Sequence, residues 1–310
     1  MSPFFYDLNT AMKRLHVEAS TFCNARCPLC PRNVYGYNVT GVYQQEHLSL
    51  EKYKECLLQF PDRTSVFFNG NLGDPMMNPD IASLTKASEC STSVTTNGSI
   101  GNRATWIALA QQGVSVIFSI DGLEDTNHLY RQDVEWSKIM ERVHWFISNG
   151  GEARWKWVVF RHNHHQIDQA KQLSKELGFK NFHTEDHGRN YGPASDAQGN
   201  ITHWILPHDD NRGPDPAWLS GRANIKEKVE RYKQDNDNFL NYQNKVYQIE
   251  CEHELENTVY INAKGEIFPC CYQGFNLPNR GRTELSQFRE LKKTWNTKNC
   301  DKVCAQNCGH

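Results

Sequence analysis

The sequence lacks a charge imbalance, long apolar runs and a signal peptide, and each absence excludes a class of protein. Its 310 residues include 34 basic and 36 acidic side chains, which gives a formal net charge of −2. That balance, without a block of like charges, argues against a nucleic-acid-binding surface. No apolar run reaches the roughly 18 residues of a membrane span, so no membrane association is expected. The first residues, MSPFFYDLNTAMKRL, lack the basic and apolar parts of a signal peptide, which predicts a cytoplasmic protein.

Cysteine, in contrast, is abundant, and its distribution favours metal binding over disulfide bonds. The chain has eleven cysteines. Without a signal peptide, such a number is typical of metal ligands rather than of a disulfide framework. Three of them lie at positions 23–30, and six lie after residue 250. The remaining two, Cys56 and Cys90, fall in helix-like segments and are interpreted as small buried hydrophobic residues.

The first group of cysteines lies in the stretch EASTFCNARCPLCPR, residues 18–32. Cys23, Cys27 and Cys30 have C-x3-C-x2-C spacing just after a strand-like run, so an irregular loop can direct all three thiolates to one point. Soft thiolate ligands favour zinc or an iron–sulfur cluster. A structural zinc site normally has four protein ligands, whereas this stretch supplies three. One ligand position therefore remains open.

Strand-like and helix-like segments alternate along the first part of the chain and predict an α/β fold. The predicted strands are 14–19, 65–68, 93–95, 114–120, 153–160 and 181–184. The predicted helices are 49–60, 80–90, 102–112, 134–148 and 165–177, with Ser49 as the N-cap of the first. This alternation indicates parallel strands joined by crossover helices, in either a doubly wound sheet or a barrel.

Polar and glycine-rich turns follow several of these strands. They are the cysteine loop, the turn at residues 69–75, Asn97-Gly98 and Asp121-Gly122. In both candidate folds, chemistry gathers where the parallel strands end. We therefore expect these four segments to converge on one edge of the sheet.

With these motifs in this order, the chain resembles the radical S-adenosylmethionine enzymes, whose signature is C-x3-C-x2-C. The resemblance implies a partial (β/α)6 TIM-type barrel in which Cys23, Cys27 and Cys30 hold a catalytic 4Fe–4S cluster, with S-adenosylmethionine chelated to its fourth iron. Reductive cleavage of that molecule would yield a 5′-deoxyadenosyl radical that abstracts a substrate hydrogen atom. A flavodoxin or ferredoxin would be the reductant. Leu29 departs from the aromatic residue that the family usually has before the third cysteine.

The same resemblance implies which residues bind S-adenosylmethionine. The turn at residues 70–75 is similar to a Gly-Gly-Glu-Pro-type motif that binds the amino group, with Asp74 in place of glutamate. Residues 95–98 and 119–122 resemble later strand ends of the family, and Arg131 is the candidate partner of the carboxylate. The expected cofactor-binding residues are Gly70, Asn71, Gly73, Asp74, Thr96, Asn97, Ser119, Asp121, Arg131, Val159 and Asn163.

The second group of cysteines resembles the auxiliary-cluster domain of the SPASM/Twitch subfamily. Cys251 and Cys270 match its C-x9–15-G-x4-C half, whereas the rest of its cysteine pattern is not present in full. We therefore expect one auxiliary 4Fe–4S cluster rather than two. Its expected ligands are Cys251, Cys270, Cys304 and Cys308, with Cys300 as a further candidate. A zinc ribbon built from the same thiols is the alternative.

These patterns predict three regions and a ranked set of functions. Residues 1–184 would form the radical core, residues 185–250 a linker with one polar helix at 217–233, and residues 251–310 the auxiliary iron–sulfur domain. The predicted function is a radical S-adenosylmethionine oxidoreductase or maturase that modifies a peptide or protein, as in the maturation of ribosomally made peptides. Oxidation, epimerisation or rearrangement of a small molecule such as a sugar or nucleoside is the alternative. A non-catalytic iron–sulfur or zinc-binding protein is the third hypothesis.

Overall fold

The structure is a computed structural model, and it describes most of the chain. The described residues are 14–34, 36–38, 45–185, 192–208, 249–251, 253, 256–274, 285–297 and 304. The polar helix expected at 217–233 lies outside them, as do Cys300 and Cys308.

An eight-stranded sheet lies at the centre of the structure. In chain order the strands are β1 (Arg14–Val17), β2 (Asn33–Val34), β3 (Tyr37–Asn38), β4 (Ser65–Asn69), β5 (Ser91–Thr96), β6 (Ser115–Ser119), β7 (Glu152–Val158), β8 (Asn181–Glu185), β9 (Gly192–Ser195), β10 (Ile201–Ile205), β11 (Thr258–Ile261) and β12 (Ile267–Phe268). The order across the large sheet is β12-β11-β1-β4-β5-β6-β7-β8. Its neighbouring strands are parallel, except that β12 is antiparallel to β11.

Helices connect the parallel strands. They are α1 (Leu50–Leu58), α2 (Ile81–Ala87), α3 (Arg103–Gln111), α4 (Asn127–Tyr130), α5 (Trp136–Ile147), α6 (Ile167–Leu177), α7 (Cys271–Gly274) and α8 (Phe288–Lys292). From β1 to β8 each large-sheet strand is followed by at least one helix before the next one, so the structure confirms the partial (β/α)6 barrel. None of the helices in the described ranges is both long and apolar enough to cross a membrane.

Local sequence explains where several of these helices begin and end. The Ser49 hydroxyl accepts a hydrogen bond from the N–H of Lys52 and caps α1, as predicted. The Asn102 side chain caps α3 in the same way. At the end of α6, Gly178 has a φ of 87°, a left-handed conformation that glycine adopts without strain.

Large aromatic side chains fill the space between the sheet and its helices. Trp106 of α3 stacks on Phe118 of β6, with their ring centroids 5.3 Å apart. Trp155 and Trp157 of β7 are both fully buried. Rings of this size bury more apolar area than aliphatic side chains do, which makes the β6–β7 side of the barrel a rigid support for the strand ends.

Three strand pairs were not predicted from the sequence. Strands β2 and β3 form one antiparallel pair, just after the cysteine loop. Strands β9 and β10 form an antiparallel pair in the region expected to be a linker. The pair is fastened to the barrel partly by His203, whose Nε2 lies 2.8 Å from the carbonyl oxygen of Leu129. Strands β11 and β12 belong to the region expected to form the auxiliary domain, yet they extend the barrel sheet beyond β1.

Candidate functional site

The cysteine loop and the glycine turn meet at the edge of the sheet where the parallel strands end. The loop follows β1, and the turn at residues 70–74 follows β4. The N–H of Asp74 donates a 2.8 Å hydrogen bond to the carbonyl oxygen of Phe22, one residue before the first cysteine. The two segments, about 50 residues apart in sequence, are therefore joined through their backbones.

Two of the three cysteine sulfurs have nitrogen donors nearby. The Cys23 sulfur accepts a 3.4 Å hydrogen bond from the N–H of Ala25 and lies 3.8 Å from Nδ2 of Asn97. The Cys27 sulfur lies 3.8 Å from Nη1 of Arg131. Such donors and a nearby cation stabilise a thiolate relative to a thiol, and the thiolate is the form that ligates iron.

Burial opposes ionisation of the same thiols. It raises the pKa of the Cys23 thiol to about 12, and the charges of Asp74 and Cys27 act in the same direction. It also raises the pKa of the Cys27 thiol, where Arg131 opposes the shift and Cys30 adds to it. Thiolates in this loop therefore require a strong positive partner, which a metal centre supplies by displacing the protons.

Arg32 offers an unsatisfied donor at the same place. The side chain follows the third cysteine by two residues and is only 6% exposed. One of its terminal nitrogens donates to the carbonyl of Ala25, whereas Nε has no partner among the described residues. Because Ala25 lies between Cys23 and Cys27, this bond places the guanidinium in the cysteine loop, and its charge lowers the pKa of the Cys23 thiol. A buried cationic donor without an acceptor is costly, and it fits an anionic group beside the cysteines.

A cluster and a single metal ion place different demands on the number and spacing of their ligands. Within the described part of the chain, no three cysteine, histidine or acidic side chains converge closely enough to hold one metal ion. A 4Fe–4S cluster distributes its thiolates over separate iron atoms and accepts a wider spacing. The loop supplies three thiols, one fewer than the four protein ligands of a closed zinc site, so its residues fit a 4Fe–4S cluster.

Asp74 joins two of the expected cofactor-binding segments. Its carboxylate is 4% exposed and accepts a 2.8 Å hydrogen bond from the hydroxyl of Thr96 and another of 2.8 Å from the N–H of Asn97. It also accepts a 3.0 Å bond from the N–H of Met76 and so caps the short 3₁₀ helix Pro75–Met77. The carboxylate thus fixes the end of β5 against the glycine turn.

An ion pair with a fully buried carboxylate orients Arg131, whose own side chain is half-buried. Its Nε donates a 2.6 Å hydrogen bond to Oδ2 of Asp121, a fully buried carboxylate whose other oxygen accepts a 2.6 Å bond from the N–H of Val158. The remaining guanidinium nitrogens include the one directed at the Cys27 sulfur. The pair therefore places a cation between the end of β6 and the cysteine loop.

The last expected cofactor-binding residues lie at the ends of β6 and β7. Ser119 and Val159 are each 7% exposed. The Asn163 side chain is fully buried, and its Nδ2 donates to the carbonyl oxygens of Asp121 and Val158, at 2.8 and 2.9 Å. Asn163 thereby ties the β6 end to the β7 end.

Three of the later cysteines expected as ligands lie within the described residues. Cys270 and Cys304 are buried, and Cys251 is half-buried. Burial raises the pKa of the Cys270 thiol well above its usual value, and the charges of Cys251 and Cys304 act in the same direction. All cysteines within the described ranges are free thiols. The expectation that auxiliary ligands come from Cys251, Cys270, Cys300, Cys304 and Cys308 stays a prediction.

Sequence reasoning did not select three residues of this site. They are Arg32, Glu18 and Tyr260, and each is less than 7% exposed. A signal existed for Glu18, because it is a charged residue at the end of a strand whose neighbours Leu15 and Val17 are apolar. No local pattern singles out Tyr260, since its partner lies at the other end of the chain.

Comparison with known proteins identifies the fold. Neither a protein-family model nor a curated protein sequence matches the chain. Streptococcus suis SuiB bound to S-adenosylmethionine matches with a TM-score of 0.56 and 18% identity, over 96% of this chain and 68% of SuiB. SuiB bound to precursor peptide SuiA matches with a TM-score of 0.55 and 18% identity, over 92% of this chain and 65% of SuiB. Native anSMEcpe with bound AdoMet matches with a TM-score of 0.52 and 17% identity, over 83% of this chain and 74% of anSMEcpe. The chain therefore has the fold of proteins that were solved with S-adenosylmethionine bound.

Proposed function

We propose that this chain is a radical S-adenosylmethionine enzyme of the SPASM/Twitch type that modifies a peptide or protein. The observation that carries the proposal is the position of Cys23, Cys27 and Cys30. They lie where the parallel strands of a partial barrel end, beside the cations of Arg32 and Arg131. SuiB and anSMEcpe, which have this fold, were solved with S-adenosylmethionine or AdoMet bound.

The chain's own residues would hold and position the reacting groups. Cys23, Cys27 and Cys30 would ligate a 4Fe–4S cluster and leave one iron for the amine and carboxylate of S-adenosylmethionine. When bound, the 4Fe–4S cluster and S-adenosylmethionine together supply a 5′-deoxyadenosyl radical that removes a hydrogen atom from the substrate. Arg131 would pair with the cofactor carboxylate, because Asp121 uses only one edge of its guanidinium. The remaining cofactor contacts would come from the residues at the ends of β4 to β7.

A peptide substrate and an auxiliary cluster are part of the same proposal. SuiB was solved bound to a precursor peptide, which favours a peptide substrate over a sugar or nucleoside. Cys251, Cys270 and Cys304, together with Cys308 or Cys300, would ligate one auxiliary 4Fe–4S cluster in the domain formed by residues 251–310. Cys251 packs against the apolar cluster that contains Cys304, which supports this. These cysteines would hold the cluster near the substrate, where it would supply either electron transfer or a point of attachment for the substrate.

The central experiment measures 5′-deoxyadenosine. Protein reconstituted with iron and sulfide is incubated with S-adenosylmethionine and a strong reductant, in place of the flavodoxin or ferredoxin donor. We expect 5′-deoxyadenosine from the wild type and from Cys90→Ala, which removes a half-buried thiol outside the site. Cys27→Ala should abolish the product. Continued production by that variant, or a protein that binds zinc and no iron, would refute the assignment.

A second experiment identifies the substrate class. Candidate peptides and small molecules carrying deuterium at the reacting carbon are supplied to the reconstituted enzyme. Transfer of deuterium into 5′-deoxyadenosine from a peptide supports peptide modification. If deuterium is transferred only from a sugar or nucleoside, the small-molecule alternative replaces the hypothesis of peptide modification.

A further inference from the structure

A fully buried carboxylate holds the glycine turn. Glu18 lies just beyond β1 and is 0% exposed. Its two oxygens accept hydrogen bonds from the N–H groups of Asn71 at 2.8 Å, Leu72 at 3.3 Å and Gly73 at 3.1 Å. A fourth bond of 2.9 Å comes from the phenol of Tyr260. Each donor at this carboxylate is therefore a part of the turn or of the C-terminal strand β11.

Three consecutive N–H groups directed at one anion form a nest, a backbone conformation that an anion stabilises. Without the carboxylate those N–H groups would be left unsatisfied in a buried place, and each loss costs on the order of 1 kcal/mol or more. The turn leaves no room for a side chain at either glycine. A Cβ built on Gly70 would lie 1.9 Å from the carbonyl oxygen of Gly73, and one on Gly73 would lie 2.0 Å from that of Ser20. Glu18 is therefore the group that selects this conformation.

Tyr260 connects the turn to the C-terminal part of the chain. It lies in β11, directly opposite His16 of β1, and is 1% exposed. Its ring packs with Leu72 of the turn and with Phe268 and Cys271. Cys271 follows Cys270, which is a proposed ligand of the auxiliary cluster. The turn is thus held by Glu18 from the strand β1 side and by this apolar cluster from the C-terminal side.

We infer that Glu18 and Tyr260 form a latch that sets the conformation of the turn at residues 70–73 and makes it depend on the C-terminal segment. Both are positioning residues, since they act on the cofactor through the turn that they hold. The consequence for S-adenosylmethionine rests on the proposed function, whereas the control of the turn does not. Affinity for S-adenosylmethionine then depends on a strand contributed from more than 240 positions away.

Two variants and one matched control test the latch. Glu18→Gln keeps the shape of the side chain but removes its charge, and Tyr260→Phe removes only the phenol oxygen. Tyr53→Phe is the control, because it also deletes a buried hydroxyl, one that is 2.7 Å from the Ser88 hydroxyl and bonds to no residue of the turn. Amide hydrogen exchange over residues 66–74 and the Kd for S-adenosylmethionine, measured by calorimetry on reconstituted protein, are the two readouts.

We expect Glu18→Gln to accelerate exchange at residues 71–73 and to raise the Kd, each by about tenfold or more. Tyr260→Phe should change both in the same direction, by about threefold to tenfold. Tyr53→Phe should leave both within about twofold of the wild type, although it lowers stability. If the wild type binds no S-adenosylmethionine but the turn responds as described, the proposed function fails and the latch stands.

Three results would overturn the latch. The first is unchanged exchange at residues 71–73 in Glu18→Gln, and the second is unchanged exchange there in Tyr260→Phe. The third is an equal effect of Tyr53→Phe, which would show that the turn responds only to overall stability. If Glu18→Gln does not fold, Tyr260→Phe and its control decide the question alone.

Discussion

The phenol of Tyr260 donates a 2.9 Å hydrogen bond to the carboxylate of Glu18, across 242 positions of sequence. The contact exists because β11 lies parallel to β1 in the sheet, and the N–H of Glu18 extends that pairing with a 2.8 Å bond to the carbonyl of Ile261. The edge of the barrel where we place the cofactor is therefore built partly by the C-terminal region. This arrangement joins the two cysteine-bearing regions through one buried acid.

Gly73→Ala will disrupt the junction between the turn and the cysteine loop. The added Cβ would lie 2.0 Å from the carbonyl oxygen of Ser20 and 2.7 Å from that of Phe22, and backbone atoms cannot rotate away. We expect the free energy of unfolding in urea to fall by about 3 kcal/mol. Gly113→Ala is the control, since nothing lies within 4 Å and only its φ of 70° opposes the substitution, at about 1 kcal/mol. Equal losses in the two variants would contradict the tight junction.

Arg131→Gln will leave the buried Asp121 without its cation. The pair is 2.6 Å apart, and Asp121 is fully buried, so the loss in unfolding free energy should be about 3 kcal/mol. Adding Asp121→Asn should restore part of the lost unfolding free energy, because it removes the unpaired charge. A double-mutant cycle by urea denaturation measures this coupling. The exposed pair of Lys138 and Glu135 serves as the control and should couple by less than about 0.5 kcal/mol. Additive effects of the two buried substitutions would contradict the pairing.

Arg32→Met will lower the reduction potential of the reconstituted cluster at Cys23. A buried cation next to the thiolates stabilises the reduced, more negative state, so its removal makes reduction harder. We expect a shift on the order of tens of millivolts in a redox titration followed by electron paramagnetic resonance. Arg154→Met removes the same charge near the beginning of β7, at the opposite edge of the sheet, and should leave the potential unchanged. An upward shift, or an equal one in Arg154→Met, would be inconsistent with the role of Arg32.

His162→Gln will reduce the loss of stability in acid. Burial lowers the pKa of His162 from 6.5 to about 4, and the charges of His203, His128 and His165 act in the same direction. Between pH 6.5 and 4 the unfolded chain therefore binds a proton that the folded chain does not, and folding stability falls as the pH falls. The variant should lose about 2 kcal/mol less than the wild type between pH 7 and pH 4 in urea denaturation. Parallel pH profiles for the two proteins would show that His162 titrates normally.

Iron content will separate the two proposed clusters. The reconstituted wild type should hold about eight irons per chain, and Cys27→Ala or Cys270→Ala about four each, since each removes a ligand of one cluster. Cys271→Ala is the matched control for Cys270→Ala, because the adjacent thiol is not a proposed ligand, and it should keep about eight. Iron is measured by colorimetric assay alongside protein concentration. A wild type with about four irons, unaffected by Cys270→Ala, would remove the auxiliary cluster from the proposal.

Much of the fold follows from local patterns. The alternation of apolar segments placed the six parallel strands β1 and β4 to β8, and the five longer helices between them, within a few residues of their observed bounds. Each pattern records which face of an element is buried. The short elements β2, β3 and α4 were not predicted. The cap at Ser49 depends on a hydrogen bond from Lys52, which is only three positions away in sequence. Strand β11 escaped prediction because its partner in the sheet, β1, lies at the other end of the chain. The sequence of β11, Thr-Val-Tyr-Ile, suits a buried strand, but it does not indicate which strand lies next to it in the sheet.

The sequence by itself determined the cysteine spacing, the order of strands and helices, and the turns that follow the strands. Tertiary structure decided which of those groups meet. It placed Arg131 at the Cys27 sulfur, left the Nε of Arg32 without a partner among the described residues, and joined Tyr260 to Glu18. The physical reason is the range of the interactions. Periodicity, caps and turns act over a few residues, whereas the partners of a buried charge are set by sheet order and packing, which bring distant residues within hydrogen-bonding distance.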